Sequence, residues 1–269
     1  MAAPLPNVLV FSASDPSGGA GLQADLLTIA RLGCHPLTVV TALTAQDSRH
    51  VRKLEAVRAE LVAAQAEALL EDMSISAIKI GVVGSAANVA AVARIAARHP
   101  AVPVVLDPVL ASGGGDRLAD DDVQQAMRRE LFPLVTVLTP NSHEARRLTD
   151  SGPSSAPRDL AECGRLLAAQ GCRFVLITGT HEATPDVVNR LFRAAGLVRE
   201  DRWPRQPGEY HGSGCTLAAA IAAYLARGKA APDAAALAQR YTWNAIAAGF
   251  RPGSGQHVPD RLYGCRDEA

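Results

Sequence analysis

The chain has 269 residues, 48% of them hydrophobic, and 27 basic against 27 acidic side chains, for a formal net charge of zero. A chain this long buries roughly three quarters of its unfolded surface, which provides a large core, and the balanced charge argues against a nucleic-acid partner, which asks for a basic excess. Five cysteines without a CxxC pair give neither a zinc site nor a disulfide framework and point to a reducing, cytoplasmic setting; residues 1–14 do not read as a signal peptide, and no run of about 18 apolar residues suggests a membrane span.

The apolar run at 7–13 (NVLVFSA) predicts a strand. Leu22, Leu26, Ile29 and Ala30 then recur at helical spacing and stop near Gly33, a suitable residue for the position after a helix. The β-branched run 37–43 is strand-like, 58–71 is helical, and 76–83 contains a strand that ends in Lys79-Ile80-Gly81. A helix over 86–98, a strand over 102–106, a charged helix over 120–130 and a strand over 135–138 follow. Next come helices over 142–148 and 158–170 and a strand over 174–177. Residues 181–210 break this rhythm with Pro185, Pro204 and Pro207 and read as a hairpin or an excursion. Helices over 214–226 and 232–248 precede an irregular tail, 251–269. Strands apolar on both faces that alternate with helices describe an α/β fold whose parallel sheet is covered on both sides, in one domain over 1–269.

Ligands of such sheets sit at the carboxyl ends of the strands. The most informative stretch is His211-Gly212-Ser213-Gly214-Cys215, directly before an alanine-rich helix. Glycines allow close backbone approach, and a helix start offers free N–H groups and partial positive charge, so Gly212, Ser213 and Gly214 suit an anion, phosphate above all. A thiol at Cys215 is expected to have its pKa lowered there. The alternative is a tight loop before a buried helix.

A second glycine loop, Ser14 to Gly21, follows the first strand. Its Gly19-Ala20-Gly21-Leu22-Gln23-Ala24 formally matches a dinucleotide fingerprint, with Asp47 downstream, but Asp15-Pro16-Ser17 intervenes where the first glycine belongs. No GxxxxGK[ST] is present. Asp25 reads either as a solvated first-turn acid or as a ligand carboxylate, and with Gln46 it could grip the polar edge of a small heterocycle. Asp107 ends a strand. Asn141 and Glu144 stand three apart on one helical face, which suits a capping pair or oxygen ligands for Mg²⁺. Thr178-Gly179-Thr180-His181 ends the last clear strand and could line a nucleotide site. His143, His181 and His211 read as loop histidines without a metal role.

The order of these blocks matters more than any one of them. SDPSGGAGLQADLLT, TALTAQDS, KIGVVGS, VVLDPVL, TPNSHEA and HGSGCT, spread over about residues 7–250, resemble the hydroxymethylpyrimidine/phosphomethylpyrimidine kinases of thiamine biosynthesis, a branch of the ribokinase-like superfamily. The resemblance implies a three-layer αβα sandwich around a mostly parallel sheet. It implies phosphorylation by ATP and Mg²⁺ of 4-amino-5-hydroxymethyl-2-methylpyrimidine, then of its monophosphate, by a homodimer. By motif, Asp25 and Gln46 resemble the pyrimidine-binding pair, with Ala20, Val82 and Val109 completing the pocket. Gly212, Ser213 and Gly214 resemble the anion hole, and Cys215 stands where this branch carries its catalytic cysteine. Asp107, Asn141 and Glu144 resemble the Mg²⁺ and phosphate residues, and Thr178 and Gly179 belong with the nucleotide. Two positions depart from the pattern: Thr178-Gly179-Thr180-His181 stands where the family often reads Lys-Gly-Gly-His, and Tyr210 and Ser213 replace threonines of Thr-His-Gly-Thr-Gly-Cys. A pyridoxal kinase of the same fold, or a non-catalytic pyrimidine-binding relative, remains an alternative.

Overall fold

The structure, a computed structural model, describes residues 4–150 and 158–265; residues 266–269 of the expected tail lie outside them. Nine strands join one sheet: β1 (Asn7–Ser14), β2 (His35–Gln46), β3 (Val51–Ala56), β4 (Ala77–Ile80), β5 (Val104–Leu106), β6 (Val137–Leu138), β7 (Phe174–Ile177), β8 (Asp186–Arg193) and β9 (Gly196–Pro204). The helices are α1 (Gly21–Arg31), α2 (Ala59–Asp72), α3 (Ala86–Ala97), α4 (Asp121–Ala126), α5 (Ser142–Thr149), α6 (Leu160–Ala169), α7 (Ser213–Ala226) and α8 (Ala231–Ala247). The spatial order is β3-β2-β1-β4-β5-β6-β7-β8-β9. Strands β2, β1, β4, β5, β6 and β7 run parallel, whereas β3, β8 and β9 pair antiparallel at the two edges.

Side-chain alternation along each strand sorts the interior into two cores. Leu9, Phe11, Ile78, Ile80, Val104, Leu106, Leu138 and Val175 pack with α2, α3 and α6 on one face. Val8, Val10, Ala77, Val105, Val137 and Leu176 meet the alanine-rich α7 and α8 on the other. Small side chains let α7 lie close to the strands, and nine of its residues are buried. The chain passes from β1 through α1 to β2 on one side, then returns through α2 to β4 on the other side of β1. This reversal opens a crevice at the carboxyl ends of β1 and β4, where ligands of open sheets bind.

Local differences from the sequence reading have identifiable causes. Strand β2 runs on to Gln46 and turns back as β3, VRKLEA, an edge strand with a charged outer face. The charged helix expected over 120–130 stops as α4 at Ala126 and gives way to a π-helical turn, Met127–Leu131, before Pro133 ends the run. Residues 181–210 contain the β8–β9 hairpin, so the hairpin reading of that segment holds.

Candidate active site

A cavity of about 810 Å³ opens at the carboxyl ends of the parallel strands. The glycine loop after β1 forms one wall. Asp15 organises it: Oδ1 accepts from the Ser17 backbone N–H (2.8 Å) and hydroxyl (2.7 Å), and Oδ2 accepts from the Ala20 N–H (2.7 Å). Oδ2 also meets His211 Nε2 at 2.9 Å. Burial disfavours the Asp15 carboxylate, but these bonds from His211 and Ser17 outweigh it and hold the group well below the usual carboxylate range.

The second glycine loop interlocks with the first. Gly212 has φ +80°, and a β-carbon there would strike the Gly19 carbonyl; one at Gly19 would strike the His211 ring. Both contacts require glycine for lack of room. Gly212 is also the N-cap of α7, so the N–H groups of Ser213, Gly214 and Cys215 have no helical acceptor, and all three residues line the cavity. Arg261, buried, joins the two loops by donating to the Gly19 carbonyl and to Thr216 Oγ1 (3.0 Å).

Cys215 lines the cavity at this helix start. Its thiol is not activated as the sequence suggested: burial pushes it up to about 12, against an opposing pull from Lys79. Desolvation of the thiolate outweighs the helix start.

Asp107, Asn141 and Glu144 meet at the ends of β5 and β6. Asn141 Oδ1 accepts from the Glu144 N–H (2.9 Å), and Glu144 Oε2 accepts from the Asn141 N–H (2.9 Å), a capping box for α5. Glu144 Oε1 accepts from the Leu110 N–H at 3.3 Å. Asp107 Oδ2 is buried with no hydrogen-bond partner among the described residues, and it faces Gly214. Burial raises Asp107 to about 6; burial and the neighbouring Asp107 raise Glu144 to about 8. Two crowded carboxylates, one with an orphaned oxygen, form a hard oxygen donor set that suits Mg²⁺. Among the described residues there is no group of three or more His, Cys, Asp or Glu that could hold a metal.

The remaining expected residues divide. Ala20, Gln46, Val82, Val109 and Thr178 line the cavity together with Asp107, Asn141, Glu144 and Gly212 to Cys215. Asp25 does not: its side chain is fully buried behind the wall, with Oδ2 2.8 Å from Lys79 Nζ, so a direct pyrimidine contact is replaced by an ion pair. Gly179 also stands back, its N–H donating to Asn189 Oδ1 (3.0 Å), and a β-carbon there would strike the Val188 carbonyl. Asp47 accepts from the Arg49 and His50 N–H groups of its own turn, which removes the ribose reading. Lys79, Arg261 and the Asp15–His211 pair were not singled out as functional. The available signal was a lysine inside the apolar strand AIKI, since lysine is almost never buried unpaired. Trp203 and Trp243 also line the cavity, with ring centroids 6.1 Å apart.

The model of the phosphomethylpyrimidine kinase family matches residues 15–260. The chain belongs to this family. It is therefore a phosphotransferase with a ribokinase-like α/β fold. A hydroxymethylpyrimidine/phosphomethylpyrimidine kinase from Streptomyces coelicolor is 40% identical over 254 residues, covering 93% of this chain and 92% of its own. Among solved structures, phosphomethylpyrimidine kinase from Clostridium difficile superposes with a TM-score of 0.75 at 31% identity, over 90% of this chain and 99% of the other. Pyridoxal kinase from Bacillus subtilis, solved as an ADP complex, gives a TM-score of 0.86 at 27% identity, over 96% of this chain and 98% of the other.

Proposed function

We propose that this phosphotransferase moves the γ-phosphoryl group of ATP onto the hydroxymethyl group of 4-amino-5-hydroxymethyl-2-methylpyrimidine, and a second onto the resulting monophosphate, in thiamine biosynthesis. The interlock of the two glycine loops across one cavity carries this reading. It sets an anion-binding helix start beside a pocket walled by Ala20, Val82 and Val109, with the Gln46 amide as a polar grip.

Phosphoryl transfer asks a protein mainly for alignment and charge stabilisation. In this reading the N–H groups of Ser213, Gly214 and Cys215 hold the oxygens of the transferring group. The acceptor hydroxyl lies at Cys215, whose neutral thiol orients it as a hydrogen-bond partner and does not take its proton beforehand. A loose transition state needs little prior deprotonation, so the proton leaves late, onto an oxygen of the transferred phosphoryl group, as ADP departs. Asp107, Glu144 and Asn141 are the residues that would hold Mg²⁺, which when bound neutralises charge on the nucleotide phosphates. Thr178 lies on the nucleotide side and contributes a hydroxyl without a charge, and Gly179 supports that side from behind. We further propose a cytoplasmic homodimer without a nucleic-acid partner, built of one domain over 1–269; no described helix is long and apolar enough to cross a membrane. Light scattering at twice the chain mass checks the dimer.

The likeness to pyridoxal kinase supports a second reading, with pyridoxal as acceptor. One assay separates the two: ADP release with MgATP, measured side by side with the pyrimidine alcohol and with pyridoxal. The first reading expects kcat/KM at least about tenfold higher for the pyrimidine, a difference of about 1.4 kcal/mol in transition-state binding. A preference for pyridoxal overturns it, and no ADP release with either acceptor favours a non-catalytic binder.

A further inference from the structure

Lys79 and Asp25 form an ion pair whose two side chains are fully buried, 2.8 Å apart. Alternation along β4 turns Lys79 toward the α1 and α7 side of the sheet, as it does Ala77. Gly81 leaves room for the ammonium at the end of the strand, because a β-carbon there would collide with Lys79 Nζ. The pair thus lies on the side of the sheet that α1 and α7 cover, at the end of β4. Stability does not account for it: replacing a buried ion pair with apolar side chains of similar volume is often neutral or stabilising. Its position is the informative feature. The ammonium lies at the carboxyl end of β4 against Gly81, one residue before Val82, which lines the cavity, and Asp25 stands one turn after Gly21, which also lines it.

We propose that the Lys79–Asp25 pair is a positioning element for phosphoryl transfer: Asp25 anchors the ammonium, and the ammonium supplies positive potential from behind the anion-binding turn where charge develops on the transferring group. Neither side chain touches substrate. The cavity places no lysine at Thr178; Arg205 spends its guanidinium on the carbonyls of Thr180, Glu182 and Thr184, Arg147 turns to Gln124 and Asp121, and Arg261 donates to the loop carbonyls of Gly19 and Gly212 and to Thr216. A fixed charge beneath the floor is stronger than one in water, because the surrounding medium screens it less.

The inference rests on the kinase reading above, and its test separates the two. Wild-type transfer from MgATP to the pyrimidine alcohol is the baseline; its absence defeats the functional reading. The double variants Asp25→Asn/Lys79→Gln, which keeps a hydrogen bond, and Asp25→Leu/Lys79→Met, which removes it, delete both charges together. Circular dichroism and thermal unfolding report whether each folds. The expected result is a folded protein with KM for both substrates within about threefold of wild type and kcat lower by about 30- to 100-fold, below the roughly 100- to 1000-fold lost with a preorganised donor that touches the reacting group, because this charge acts from a distance. A folded double variant with kcat within about threefold of wild type overturns the inference while leaving the kinase reading intact. Failure of both variants to fold also overturns it, since the pair is then a requirement of the fold.

Discussion

Two pairs of buried charges lie side by side beneath the start of α7, and the protein treats them in opposite ways. Asp25 has its own cation, Lys79, at 2.8 Å. Asp107 and Glu144 have each other and a few backbone and hydroxyl donors, and form no ion pair among the described residues; one Asp107 oxygen, like Oδ1 of Asp25, has no hydrogen-bond partner there. A buried charge without a partner is costly. A protein that balances one carboxylate internally and leaves two acids short of positive charge keeps a place for an external cation. The difference separates a built-in element from a binding site, although both consist of acids at similar depth.

The largest expected effect comes from opening the closed pair. Lys79→Met alone leaves Asp25 buried without its cation, and should cost about 3–5 kcal/mol, as when one partner of a buried pair is removed. In a chain of this size that lowers the melting temperature by on the order of 10 °C. Thermal unfolding at pH 7 checks it. A variant as stable as wild type would erase the distinction, because Asp25 would then need its partner no more than Asp107 does.

The open pair should respond in the other direction. Glu144 is raised to about 8 and Asp107 to about 6, above their ordinary values of 4.5 and 3.8. The folded state therefore holds protons that the unfolded state has released, and stability falls as pH rises from about 4 through 8, then levels. Glu144→Gln should flatten that slope and stabilise the metal-free protein at pH 8 by on the order of 2 kcal/mol, after allowance for weakened hydrogen bonds. Urea unfolding at pH 5 and pH 8 reads both terms; an unchanged slope removes Glu144 as its source. Mg²⁺ should reverse the same penalty, with a larger thermal shift at pH 8 than at pH 6 and release of protons on binding. Asp107→Asn should abolish the shift. A shift equal at both pH values, or retained in Asp107→Asn, places the cation elsewhere.

Much of this arrangement was legible in local sequence. The alternation of apolar strands with helices gave the sheet, and Asn141 with Glu144 announced the capping box that places both at the cavity. The glycines before Cys215 marked the helix start. Less legible were features that depend on distance or environment. Strand β3 has a charged outer face and pairs at an edge, so its apolar signal is weak. Lys79 and Asp25 are 54 residues apart and meet only because strand alternation turns the lysine toward α1. Arg261 reaches Gly19 across 242 residues from a tail that looked irregular. The Cys215 thiol was misjudged because the helix start is visible in sequence, whereas the desolvation that overrides it is a property of the packed site.

That thiol gives the finest probe of the comparison, because it lies next to both pairs: Lys79 lowers the cost of its ionisation, and Asp107 raises it. With a pKa of about 12, only about one molecule in ten thousand carries a thiolate at pH 8, against about one in ten for a thiol at the ordinary value of 9.0. Iodoacetamide labelling followed by mass spectrometry should therefore modify the exposed Cys265 well before Cys215. The Cys215 rate should climb about tenfold per pH unit with no plateau near 9, for as long as the fold survives. Asp107→Asn removes the unfavourable neighbour and leaves Lys79 in place, so labelling of Cys215 at pH 8 should quicken by several-fold. Unchanged labelling in that variant would mean that Asp107 exerts no field on the thiol. A plateau near pH 8 would mean that the helix start prevails over burial after all, and Cys215 would then stand as a thiolate beside the acids.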